Sequence, residues 1–238
     1  MDPNESSQRL RRFVLELLPP SPVHSAGSYS TDRKNHMSYS YVSIISLTDV
    51  AGFAEAGNTW APEHYRALGA TTTTASQAIM GGDMAGMVAV SFEFDSIDAA
   101  MRGQQAFYGD ERLVQLMQDH QVHIQRRSLM RIQAEFGERT GEFGSVLYMT
   151  SAPIDDATAQ TNFGHNWGHI QHGANGMMAM TAVAAGAAPF TGSVVTSTDS
   201  LDDLMAASVK NFSDPAVAQM MADTQTQVLG RVLVQRLF

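Results

Sequence analysis

The segment Phe163 to Gly176, FGHNWGHIQHGANG, places His165, His169 and His172 beside Asn166 and Trp167. On a helix of about 3.6 residues per turn, positions i, i+4 and i+7 share one narrow stripe, so the three imidazoles face the same way. Imidazole exchanges protons near neutral pH, which suits general acid–base work. Converging imidazoles also hold transition metals, usually with a carboxylate, and a single one can be an axial ligand to haem. Against a metal, Gly164, Gly168 and Gly173 weaken the helix, Asn166 and Gln171 are not typical ligands, and no HExxH pattern supplies a base. A site with no metal and no cofactor is the more economical reading, with haem or a His-bound metal as the alternative. An earlier stretch, Trp60 to Gly69 (WAPEHYRALG), is a partial counterpart that carries Trp60, His64, Tyr65 and Arg66 but only one histidine.

Composition limits what such a site serves. The 238 residues are 44% hydrophobic, enough for a packed core. A net charge of −9 with two lysines, Lys34 and Lys210, leaves no basic face for a phosphate backbone, which argues against nucleic acid as a partner. With no cysteine there is no disulfide, thiolate nucleophile or sulfur-ligated metal, and the composition fits a cytoplasmic protein. No apolar run reaches the roughly 18 residues of a membrane span, so no membrane partner is expected. Residues 1–36, rich in proline and serine, read as a solvated tail.

From Tyr39 onward the chain repeats at a spacing of 104 residues: Gly69 matches Gly173, Asp110 matches Asp214, Met117 matches Met221 and Arg127 matches Arg231. A period this long indicates duplicated domains, over 37–134 and 145–238, with 135–144 as linker. In each, a β-branched run (Val42 to Leu47; Val146 to Thr150) predicts a buried strand. A helix follows, over Val50 to Leu68 with Pro62 as a kink or fresh start, and over Asp155 to His172. Gly69 and Gly173 then occupy the left-handed position that ends a helix. Second and third strands follow (Thr71 to Ile79 and Met87 to Phe94; Met177 to Ala185 and Thr191 to Thr198). The second helix, capped by Ser96 or Asp95 in the first repeat and by Ser200 or Asp199 in the second, breaks at Tyr108 to Asp110 and at Phe212 to Pro215. Ile124 to Ile132 and Val228 to Phe238 close each unit.

The order β-α-β-β-α-β is the ferredoxin-like unit, and one such unit leaves a sheet face that the second must cover. Two tandem ferredoxin-like repeats forming an α+β barrel within one chain resemble the dimeric α/β-barrel superfamily of antibiotic-biosynthesis monooxygenases, stress-responsive barrel proteins and chlorite dismutase-like haem proteins. That resemblance covers Met37 to Phe238 and rests on element order, duplication and length. It implies a cavity between each sheet and its helices in which a histidine with aromatic and amide neighbours orients a small, apolar or aromatic molecule. Here His169 would be the base, flanked by His165 and His172, with Trp167 and Asn166 holding the ligand and Trp60 and His64 as their counterparts in the first repeat. For Trp60 and Trp167 the competing reading is core packing; for His64 it is a surface or satisfied residue, and there that reading is favoured. The implied activity is a cofactor-independent monooxygenase or an isomerase, against a non-catalytic ligand-binding or stress-related protein. Homo-oligomers are a further expectation.

Overall fold

The structure is a computed structural model, and it describes residues 38–238. The tail expected over 1–36 lies outside the described residues. From the N-terminal side the elements are β1 (Ser38–Ser46), α1 (Val50–Thr59), α2 (Ala61–Ala67), β2 (Thr72–Met80), a 3-10 turn (Gly82–Met84), β3 (Val88–Phe94), α3 (Ile97–Gly109), α4 (Glu111–Asp119) and β4 (His123–Gly137). They continue with β5 (Phe143–Thr150), α5 (Asp156–Ile170), β6 (Gly176–Ala184), β7 (Gly192–Thr198), α6 (Leu201–Ser213), α7 (Pro215–Asp223) and β8 (Gln227–Arg236). Eight antiparallel strands close into a barrel in the order β1-β3-β2-β8-β5-β7-β6-β4. Each half contributes four adjacent strands, and β2 against β8 and β4 against β6 seal the two seams. Closure leaves no unpaired strand edge.

Strands such as β1 carry buried residues on both faces because both are covered. Along β1, Val42 and Ile44 point into the barrel while Tyr41, Ser43 and Ile45 point to the helices outside. The lumen is nearly filled, retaining about 140 Å³. Within it Arg139 pairs with Glu93, a residue 8% exposed, and Arg126 lies 5.1 Å from the Phe190 ring centroid. Pairing recurs at the 104-residue spacing: Tyr41 faces Phe92 on β3 and Leu129 on β4, and Ser145 faces Thr196 on β7 and Leu233 on β8.

Helix boundaries follow their caps. Ser96 accepts from the Ala99 N–H, Ser200 from Asp203, and Asp155 from Thr158, each satisfying a donor that has no partner within its helix. Asp110 and Asp214 each end one helix and cap the next, which explains both expected breaks. Pro62 starts α2 afresh. Three expectations are corrected. The helix expected to reach His172 ends at Ile170, leaving His172 exposed in a turn. Gly69 has the left-handed φ of +105°, but Gly173 is absent from the positive-φ residues; it is glycine because a Cβ there would meet the Asp203 carbonyl oxygen at 2.2 Å. The fourth strand of the first half runs on to Gly137 because its ladder with β6 continues to Gly176, shortening the expected linker to 138–142. Among the described residues no helix is long and apolar enough to cross a membrane.

Candidate functional site

A cavity of about 600 Å³ lies between the sheet of the second half and α5, α6 and α7. Volumes of about 300–1,000 Å³ are typical of ligand pockets. Its floor comes from the outward-facing residues Ser145, Leu147 and Met149 of β5 and Val194 and Thr196 of β7. Its roof is Asn162, Phe163, Asn166 and Ile170 from α5, Ser208, Asn211 and Phe212 from α6, and Val217, Met220 and Met221 from α7. The lining is mainly apolar with a few polar groups. Asn166 donates to the Asn162 carbonyl at 2.7 Å, which fixes its amide. Asn211 is 5% exposed and its Oδ1 is buried with no hydrogen-bond partner among the described residues. Two cations line the space: Arg131, neutralised by Asp156, and Arg231.

The corresponding space in the first half measures about 50 Å³. Aromatic side chains fill it. Tyr65, Phe92 and Phe107 form a triad with ring centroids 4.7–4.8 Å apart, and Phe107 also meets Phe94 at 6.2 Å. At the 104-residue spacing, Tyr41, Phe92 and Phe107 become Ser145, Thr196 and Asn211. Three large rings give way to three smaller polar side chains, which accounts for part of the difference in volume.

The seven residues singled out from sequence fall in different places. Asn166 lines the cavity. His165 and His169 stand one position back along α5, so at about 100° per residue they form the neighbouring stripe. They approach the same Oδ2 of Asp214, at 2.9 Å and 2.7 Å. Hydrogen bonds first from His165, then from His169 and the Ala216 N–H, hold the Asp214 carboxyl well below the usual carboxylate range. The three donor atoms lie within 4.8 Å of one another, a set of ligand types that suits a divalent transition metal. His172 is outside this cluster. Among the described residues the cavity lining contains no histidine, so His165, His169 and His172 are not placed to act as axial ligands to a haem inside it. Trp167 stacks on Phe136 at 6.2 Å and packs against the core around Met177 and Leu204. Trp60 carries the Arg112 guanidinium over its ring at 3.6 Å, and His64 lies 5.6 Å from the same ring and 3.0 Å from Asp110. A His beside the Asp that splits two helices is thus present in both halves.

Arg231, Asn211, Ser208 and Thr196 were not singled out from sequence. The signal available was the set of positions at which the two halves differ in size and polarity, rather than those at which they agree.

No family model matches the chain, and no curated protein matches it. Solved structures do. A candidate monooxygenase from Lactobacillus acidophilus NCFM superposes with a TM-score of 0.53 at 10% identity, over 85% of this chain and 95% of that one. A candidate chlorite dismutase gives 0.53 at 10% identity, over 84% and 94%. A candidate monooxygenase from Fusobacterium nucleatum subsp. nucleatum ATCC 25586 gives 0.52 at 8% identity, over 85% and 93%. At such identity the likeness concerns the fold. The closed eight-stranded barrel of this chain is thus a fold that it shares with these solved structures.

Proposed function

We propose that this protein binds a small apolar or aromatic molecule in the cavity of its second half. The observation that carries the reading is the contrast between about 600 Å³ in one half and about 50 Å³ in the other, at matching places in the sheet-and-helix layers. Core packing alone favours the filled version, because interiors are close-packed and voids forfeit contacts. A half that keeps a large space lined by Asn166, Asn211 and Thr196 has a use for it. Five methionines at its wall, Met149, Met177, Met180, Met220 and Met221, supply flexible side chains that adapt to an irregular ligand. The recurrence of strand pairs at 104 residues supports reading 37–134 and 145–238 as two copies of one unit, the first kept as structural support and the second hollowed.

A catalytic use, as a cofactor-free monooxygenase or isomerase, is the second reading. What favours it is the contact between His169 and Asp214, since a carboxylate fixes the orientation of an imidazole that moves protons. In that reading His165 shares the same carboxylate at the edge of the site.

Methyl carbon NMR of the methionines during titration with naphthalene tests the proposal. Met177, Met180, Met220 and Met221 should shift together while Met117, which lines the filled space of the first half and matches Met221 in position, stays put. Shifts at Met117 alone would place binding in the wrong half, and no shifts at all would remove the cavity as a binding site.

A further inference from the structure

The cavity also carries information about the charge of its ligand, an inference that rests on the binding reading above. Arg231 lies on β8 with its guanidinium at the cavity wall. Its hydrogen bonds are Nη1–H to the Ser208 hydroxyl at 3.1 Å and to the Met205 sulfur at 3.3 Å, a weak acceptor. Among the described residues it has no carboxylate partner, whereas Arg131 at the opposite wall has Asp156. Burial alone pushes the Arg231 guanidinium below its usual pKa, with no nearby anion to restore it.

The first half shows what a satisfied version looks like. Its matching residue, Arg127, donates through Nη2 to the Tyr108 hydroxyl at 2.7 Å and lies 4.8 Å from that ring. At the position of Tyr108 the second half has Phe212, which keeps a ring at the cavity wall and loses the acceptor oxygen. Phe107, next to Tyr108, becomes Asn211, whose buried Oδ1 is unpartnered. Two adjacent positions on α6 therefore open a place for an oxygen beside a cation and a second polar group. A guanidinium half removed from water is costly unless an anion answers it, and its planar fork matches a carboxylate.

We propose that the ligand is an apolar carboxylate whose acid group is held by Arg231, with Ser208 keeping the guanidinium in place. Arg231 selects for charge, and the methionine- and phenylalanine-lined remainder takes the apolar body.

The test uses the full chain, calorimetric titration with 1-naphthylacetic acid and with its primary amide, and the variants Arg231→Met, Arg231→Lys and Asn211→Phe. Wild type should bind the acid more tightly than the amide by about tenfold or more, the range of a charge-assisted hydrogen-bonded pair. Arg231→Met should erase that preference while amide binding persists, and Arg231→Lys should keep part of it. Persistence of amide binding shows that the Met variant is folded and its cavity open. If acid and amide bind wild type equally and Asn211→Phe blocks both, the cavity reading stands and the carboxylate inference falls. If neither compound binds wild type, the cavity reading falls and the inference falls with it. If the preference survives in Arg231→Met, another group provides it and the assignment to Arg231 is overturned.

Discussion

Exchanging one pair of matched residues measures the asymmetry between the halves. Phe107 is 5% exposed and touches the rings of Tyr65, Phe92 and Phe94. Phe107→Asn removes a buried ring, at about 3–5 kcal/mol for loss of such a side chain, and leaves an amide in an apolar setting at about 1–3 kcal/mol. Local relaxation recovers part of this, so a total of about 4 kcal/mol is the expected loss. At about 2–4 °C per kcal/mol for a domain of this size, the melting temperature should drop by about 10–15 °C. Asn211→Phe at the matching site enters open volume and removes an unpartnered buried oxygen. It should stay within about 1 kcal/mol of wild type or exceed it. Differential scanning calorimetry of both variants decides. Equal losses in both would show that the second half has no room for the ring and would refute the idea that smaller side chains account for part of the cavity.

Other perturbations address separate parts of the account. Asp214→Asn keeps the helix cap and removes the charge. Because the folded-state pKa of Asp214 is depressed, its stabilisation is present above the unfolded carboxylate value of about 3.9 and is lost as pH falls through the folded value. The variant should therefore melt below wild type at pH 7, and the gap should begin to close only as pH falls below about 3.9; a gap that keeps widening below that value would contradict the assignment. Gly173→Ala drives a methyl into the Asp203 carbonyl and should cost about 1–3 kcal/mol by denaturant titration, against little effect for Gly168→Ala, where nothing lies within 4 Å. His169→Ala should leave naphthalene binding within about twofold of wild type and stability within about 1 kcal/mol, because the imidazole is partly exposed and outside the lining. Loss of binding in that variant would mean that the histidine stripe, and not the neighbouring asparagine stripe, faces the ligand.

The barrel was legible because its determinants are local and periodic: β-branched runs, caps near Ser96 and Ser200, and breaks at Asp110 and Asp214. The 104-residue register carried the pairing as well, since matched strands meet the same partners. The candidate site was legible only in part. Spacing places His165 and His169 on one stripe of α5, but not at which angle that stripe meets the sheet. Packing of Ile170 and Phe163 toward the second-half core settles the angle and turns Asn162 and Asn166 into the cavity, one residue aside from the histidines. Gly173 reads from the sequence as a helix terminator because glycine serves both positive φ and close approach, and only the position of the Asp203 carbonyl distinguishes the two. Arg231 matched Arg127 by identity, yet what matters is the change beside it from Tyr108 to Phe212, a difference that a search for identities passes over.

The most direct test of the central claim is a calorimetric titration of wild type and Asn211→Phe with the same neutral naphthalene amide. The account predicts one site per chain in wild type and none in the variant, with both proteins folded to the same melting temperature within a few degrees. Unchanged binding in a folded Asn211→Phe protein would contradict the claim that the second-half cavity holds the ligand.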